Sequence, residues 1–423
     1  MAHFGLICPV ETGHLNTMLP LGKELKRRGH QVTFFGIVDA EAKIKTAGLE
    51  FQGIGEKAFP LGSTEAGFAE LAKLSGIPAL LYTMNWFRGL AETFLQEAPT
   101  IIKSANIDAL LVDQISPEGG TIAEFLNIPF ITVCSALPFN QESGIPPFFT
   151  TWQYNSVWWA RLRNQIIYTL ANPFGQSLKQ LRAKYRKKWK LPPESSVDSP
   201  WAILSHEPIE FEFPREKLPQ WFHFTGPYHT SMERPMIPFP WDKLTGQPLI
   251  YASMGTLQNG MIDVFEKIAQ ACVGLEAQLV ISLGGKNKFE SLPKLPGNPL
   301  IVEYAPQLEL LQKAALNITH AGMNTTLESL TYGVPMVAIP VTNDQSGIAA
   351  RIAWTGTGEL IPLSKLTVPK LRIMIEKVLT EDTYRNNALR LQKAIDQAGG
   401  VKLAVDIIEK VVSTKQPVLN TMF

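Results

Sequence analysis

YAPQLELL (Tyr304–Leu311), ITHAGMNTTLESL (Ile318–Leu330) and GVPMVAIPVTNDQSG (Gly333–Gly347) follow one another in the C-terminal half of the chain. Short apolar runs alternate here with polar, glycine-containing turns that open helices, the rhythm of βα units in a parallel sheet. Leu316–Thr319 reads as a buried strand, His320–Gly322 as its turn, and Asn324 onward as a helix with Leu327 and Leu330 on its apolar side. The first N–H groups of a helix lack intrahelical partners and sit at the positive end of its dipole, so this turn suits an anion such as phosphate. His320, Asn324 and Thr325 add side-chain donors. Glu328 falls one helical turn beyond Asn324 on the same face, placed to accept from hydroxyl groups. A second strand, Pro335–Ile339, leads to Asp344 and Gln345, adjacent groups able to grip a hydroxyl-rich ligand. His, Asn and Thr at a helix start are also ordinary caps, and the residues alone leave both readings open.

Working outward, the chain repeats one plan twice. An apolar strand from His3 to Pro9 meets a glycine-containing turn, and Leu15, Met18, Leu19 and Leu25 form a helical stripe that stops at Arg27-Arg28-Gly29 before a strand at Gln31–Gly36. The second half restarts with a strand at Pro248–Met254, the turn Gly255-Thr256 and a helix around Asp263–Val273. Neither turn is a full GxGxxG, so a generic dinucleotide reading is weak. Between the halves, MERPMIPFPW (Met232–Trp241) has the composition of an extended linker. The expected organisation is α/β: a domain over 1–228, a linker over 229–243 and a second domain over 244–423, each Rossmann-like and doubly wound, with the ligand cleft between them at the strand C-termini.

At 423 residues the chain is long enough for two or three cores, and 45% apolar with 18% charged residues fits a folded protein. A net charge of +1 argues against bulk nucleic-acid binding. Cys8, Cys134 and Cys272 lie in or beside apolar runs without metal-ligand spacing, reading as buried free thiols of a reducing compartment. No apolar run approaches the ~20 residues of a spanning helix, and MAHFGLICPV reads as a strand rather than a signal peptide. A cytoplasmic location is expected.

Pro306-Gln307, the block His320 to Glu328 and the pair Asp344-Gln345 resemble, in order and spacing, the donor signature of the UDP-glycosyltransferase superfamily, enzymes of GT-B fold; HAGMNTTLE with DQSGIAARI looks closest to bacterial zeaxanthin glucosyltransferases. The resemblance implies that His320, Asn324 and Thr325 contact a diphosphate with Gly255, Thr256 and Gly322 nearby, Glu328 the ribose, and Asp344 with Gln345 the hexose. Tyr304 would stack on the nucleotide base, and Ala305 and Gln307 belong to the same donor-binding set. Plant relatives have Trp where this chain has Tyr304, a smaller stacking ring.

His14 ends Glu11-Thr-Gly-His near the start of the first helix, where the positive helix end is expected to keep the imidazole neutral. By itself it reads equally as a cap or surface residue; the resemblance implies a general base. Asp113 ends the strand in DALLVDQ and matches the family's carboxylate partner for that base, although alone it also reads as a cap of the helix around Gly120–Phe125. Asp108 belongs at the opposite end of the sheet, and His30 is expected at the surface. The implied chemistry is inverting hexosyl transfer from UDP-glucose or a related nucleotide sugar, with no cofactor. No DxD occurs in the chain, so metal independence is expected.

From Ser143 to Pro193 there is no Asp or Glu, while Arg161, Arg163, Arg182, Arg186 and five lysines gather beside Trp152, Trp158, Trp159 and Trp189. Basic residues interleaved with aromatics suit peripheral contact of 143–193 with an anionic membrane and a hydrophobic acceptor of carotenoid type. The alternative is a solvated basic helix face with aromatics lining a pocket. Trp86, Phe87, Phe139, Phe148 and Phe149 are candidate acceptor walls that core packing could also claim. Glycosylation of a soluble natural product such as a flavonoid or macrolide, a GT-B sugar-nucleotide epimerase or hydrolase, and a lipid-recruited binding protein on an inactive scaffold are the alternative functions.

Overall fold

Strand sequences such as HFGLI, ALLVD and FITVC are apolar on both faces, which a parallel strand requires when helices cover both sides of its sheet. The computed structural model describes residues 1–71, 73–74, 76–229, 237–255, 261–285 and 294–420; Thr256 and part of the expected linker, 230–236, lie outside them. The first sheet holds β1 (His3–Ile7), β2 (Gln31–Gly36), β3 (Glu50–Gly53), β4 (Ala109–Asp113), β5 (Phe130–Cys134), β6 (Ile203–Ser205) and β7 (Phe222–Phe224). Helices α1 (Thr12–Arg27), α2 (Glu41–Thr46), α3 (Ser63–Leu71), α4 (Gly76–Ser104), α5 (Glu118–Leu126) and α6 (Trp158–Lys188) connect them. The second sheet holds β8 (Leu249–Ser253), β9 (Gln278–Ser282), β10 (Leu300–Val302), β11 (Ala314–Thr319), β12 (Met336–Ala338) and β13 (Gly358–Leu360). Its helices are α7 (Ile262–Cys272), α8 (Gln307–Leu311), α9 (Met323–Thr331), α10 (Gln345–Trp354), α11 (Val368–Thr380), α12 (Asp382–Gln397) and α13 (Gly400–Thr414).

Both sheets are parallel and share one winding. The orders are β3-β2-β1-β4-β5-β6-β7 and β10-β9-β8-β11-β12-β13, so each reverses direction beside its first strand. At such a switch point the loops leaving adjacent strands diverge and open a crevice at the strand C-termini. In the first sheet it brings together the turn after β1 and the end of β4; in the second, the turn after β8 and the end of β11.

The chain returns to its first half at the end. Val405, Ile408 and Val411 of α13 are buried in one core with Leu15, Met18 and Leu25 of α1 and Phe4 and Leu6 of β1. Arg28 reaches Asp406 at 2.5 Å and Glu409 at 2.7 Å. His30, expected at the surface, is instead tucked under α13, with Nε2 at 2.8 Å from Glu409 and only 14% of its side chain exposed. Arg351 of α10, itself buried, donates from Nε to Glu212 Oε1 at 2.9 Å, and the Gly347 N–H donates to the Phe148 carbonyl at 2.8 Å. These contacts hold the two sheets with their switch points toward a common cleft.

Candidate active site at the cleft between two switch points

His14 sits in the first turn of α1, and its Nδ1 lies 2.8 Å from Asp113 Oδ2, the last residue of β4. The two are far apart in sequence and meet because β1 and β4 are neighbours. Asp113 does not cap α5: its Oδ1 accepts from the Ile115 N–H at 3.0 Å, which holds the carboxylate in place. Asp108, at the other end of the sheet, accepts from the His3 N–H. Sequence reasoning missed Ser135, just past β5, whose Oγ is 2.6 Å from His14 Nδ1 and donates to the same Asp113 oxygen. With Nδ1 engaged, Nε2 is the nitrogen available to a ligand hydroxyl, and the side chain keeps 17% exposure.

The charge of this imidazole differs from the helix-end expectation. Burial pulls His14 toward neutrality, but the Asp113 carboxylate, by field and hydrogen bond, with Glu11 and Asp344 farther off, outweighs it and pushes the ring up to about 9. A partial charge from unpaired N–H groups is weaker than a full carboxylate at contact distance.

The second switch point is built around His320. Ala321 adopts a left-handed backbone (φ 63°) and Gly322 an extended one, turning the chain from β11 sharply into α9. The ring packs over two glycines: a Cβ on Gly322 would stand 2.5 Å from His320 Nε2, and one on Gly255 2.8 Å from the ring. Burial lowers His320 to about 4, so it works as a neutral ring, and among the described residues its buried Nδ1 has no hydrogen bond of good geometry. An unmatched buried nitrogen at a helix start costs stability unless a ligand uses it. Asn324 Nδ2 donates to the Gly13 carbonyl at 2.9 Å, joining the anion-suited helix start to the turn that carries His14.

Gln307, at the start of α8, donates to Glu328 Oε2 at 2.5 Å and to Thr325 Oγ1 at 3.4 Å, and accepts from the Tyr251 hydroxyl at 3.1 Å. This ties the PQ turn to the α9 carboxylate. Tyr304 is exposed beside buried Ala305. Asp344 faces the first half, accepting from the Leu137 N–H at 3.4 Å, and burial raises its carboxyl. Gln345 folds back on its own turn, its Oε1 accepting from the Val341 and Thr342 N–H groups at 2.9 and 3.0 Å. Among the described residues no group of three or more His, Cys, Asp or Glu side chains is placed to hold a metal ion.

The five aromatic acceptor candidates fall into two places. Trp86 and Phe87 of α4 line a crevice with Leu90, Leu178 of α6 and the Cys8–Glu11 turn. Phe139, Phe148 and Phe149 form a separate cluster, Phe148 stacked on Phe139 at 4.7 Å and edge to face with Phe149 at 5.3 Å between ring centroids, where Phe148 meets α10. The crevice also holds two carboxyl groups that the sequence did not flag. Burial pushes Glu118 up to about 7, and Glu11, also raised by burial, has an Oε2 without a partner among the described residues.

Three arginines of the basic segment are neutralised by acids outside it. Arg161, Arg182 and Arg186 pair with Glu216, Glu194 and Glu124 at 2.7–2.9 Å, and Arg163 stacks over Trp152 at 3.9 Å. No helix among the described residues is long and apolar enough to cross a membrane.

Two parallel sheets of identical winding facing a shared cleft define the GT-B class, and the solved glycotransferase of kitacinnamycin has this fold with a TM-score of 0.76 at 22% identity, covering 97% of this chain and 98% of that one. Residues 90–412 match the UDP-glucoronosyl and UDP-glucosyl transferase family, and the chain belongs to it. It is 31% identical to the zeaxanthin glucosyltransferase of Pantoea ananas, over 99% of this chain and 98% of that protein. Against the zeaxanthin glucosyltransferase of Pseudescherichia vulneris it is 28% identical over 99% and 100%. The protein is a glycosyltransferase.

Proposed function

We propose that the protein moves glucose from UDP-glucose to a hydroxyl of a hydrophobic acceptor of carotenoid type, with inversion at the anomeric carbon and without a metal. The observation that carries this reading is the His14–Asp113 pair, 2.8 Å apart, in a turn that Asn324 at the opposite helix start touches at 2.9 Å. His14 Nε2 takes the acceptor proton while the acceptor oxygen attacks the anomeric carbon from the side away from the diphosphate. The bond from that carbon to the diphosphate oxygen breaks, and its electron pair leaves with UDP. Asp113 stabilises the imidazolium that forms, and a base so placed is worth roughly 10² to 10⁴ in rate. The departing charge meets the α9 N-terminus, His320 and Thr325. Glu328, held by Gln307, takes the ribose; Asp344 and Gln345 take the hexose; Tyr304 borders the base.

The names of the two zeaxanthin glucosyltransferases favour a carotenoid acceptor, and the apolar crevice of Trp86, Phe87 and Leu90 beside the β1–α1 turn accommodates an apolar chain. Metal independence rests on the lack of any DxD in the sequence. We place the protein in the cytoplasm, in peripheral contact with the membrane that dissolves such an acceptor.

The test is incubation with UDP-glucose and zeaxanthin, a flavonol or a macrolide, with and without detergent micelles. UDP release and product mass are followed beside His14→Ala. A hexose increment on zeaxanthin, inverted in configuration, insensitive to chelator and lost in the variant, is expected. UDP release at the same rate without acceptor would replace transfer by hydrolysis.

A further inference from the structure

The N-terminal half of α6 leaves an apolar row in solvent. Trp158, Leu162, Ile166, Leu170 and Phe174 recur every fourth residue, and all are exposed, Trp158 by 75% and Leu170 by 64%. At 3.6 residues per turn such a row drifts slowly along one side of the helix, over about 24 Å. The opposite side, with Ala160, Asn164, Arg182 and Arg186, is buried against the protein. Between Arg163 and Lys179 the helix carries no charged residue, and Arg161, Arg182 and Arg186 are occupied by glutamates. Helical spacing then returns Lys184, Lys187 and Lys188, all exposed, to the same arc as the apolar row. A contiguous exposed apolar face of this kind marks an interaction site.

We propose that this side of α6 docks on an anionic lipid surface, with Trp158 to Phe174 entering the acyl boundary and Lys184, Lys187 and Lys188 at the headgroups. An apolar row continued by exposed lysines, of which Lys184 also lies 3.9 Å from Glu92, complements such a surface. Leu178, one turn past Phe174, lines the crevice that runs between α4 and α6 to the β1–α1 turn. The docked face therefore borders the route to His14. The value of this placement rests on the hydrophobic-acceptor reading; the docking itself is tested without it.

The experiment is co-sedimentation of the full chain with vesicles of phosphatidylcholine alone or mixed with phosphatidylglycerol, alongside Trp emission. Wild type is expected to bind the mixed vesicles more tightly, with a blue-shifted emission. Exchanging Lys184, Lys187 and Lys188 for Gln is expected to weaken binding to mixed vesicles by about 100-fold, about fivefold for each lysine. Leu162→Glu with Ile166→Glu and Leu170→Glu is expected to abolish binding to both kinds of vesicle at an unchanged melting temperature. Wild type that stays in the supernatant, or variants that sediment like it, overturns the proposal. So does wild type that is dimeric, ignores vesicles and becomes monomeric in the glutamate variant, which would assign the face to a second copy. Sedimentation that persists without any UDP release leaves docking standing and counts against the transferase reading alone.

Discussion

Replacing Asp113 by Asn keeps the shape of the hydrogen-bonded group and removes its charge. His14 is held at about 9 chiefly by that carboxylate acting against burial. At pH 7 only about 1% of the wild-type ring is then neutral and able to accept a proton, whereas a ring returned to the ordinary 6.5 would be about 75% neutral. Asn also fails to stabilise the imidazolium and favours the wrong tautomer, a loss of roughly 10⁴ in the serine-protease precedent. The two effects oppose each other at neutral pH and not in alkali. The wild-type kcat/KM is therefore expected to climb with pH to a limb near 9, while Asp113→Asn levels off at about 6.5 or below, since burial then loses its main opponent. The ratio of wild type to variant should widen by about 70-fold between pH 7 and pH 10. The assay is initial-rate UDP release across that range at subsaturating acceptor, with an NMR titration of the His14 ring. A variant whose limb stays near 9 would falsify the assignment, since another group would be titrating. Because the folded-state value lies above the unfolded one, the pair also contributes about 3 kcal/mol of stability below pH 6.5, lost as pH rises through 9.

Ser135→Ala removes a hydroxyl shared by both members of the pair; kcat/KM is expected to fall about tenfold with the alkaline limb moved less than in Asp113→Asn. Gly322→Ala would place a methyl 2.5 Å from His320 Nε2 and turn the ring away. Calorimetric affinity for UDP should drop by about tenfold in that variant, and an unchanged affinity would remove His320 from the diphosphate site. Glu328→Gln keeps the shape of the group that Gln307 holds but not its charge, so KM for UDP-glucose should rise about tenfold with kcat little altered. Arg351→Ala leaves the buried Glu212 with Arg215 at 3.3 Å and the Phe213 N–H at 2.6 Å, and a loss of about 3 kcal/mol should appear as a lower melting temperature in scanning calorimetry.

The parallel α/β plan and the helix start at His320 are legible in the sequence because their determinants are local. A strand, a turn and one helical turn place His320, Asn324, Thr325 and Glu328 by spacing alone. The stop at Arg27-Arg28-Gly29 and the strand at Gln31–Gly36 follow from equally short-range preferences, and the structure has them at those residues. What the sequence could not carry are quantities set by groups distant along the chain. Strand order, a property of the whole sheet, puts Ser135 against His14 and Asp113. The ring's charge follows from carboxylates on three different elements, so the helix dipole, which is visible locally, misjudged it. The basic segment looked unbalanced only because Glu124 and Glu216 lie elsewhere in sequence; folding neutralises those arginines and leaves the apolar side of α6 as its distinguishing surface. Short-range sterics and periodicity determine elements, whereas electrostatic fields and exposure are sums over neighbours that only the tertiary structure supplies.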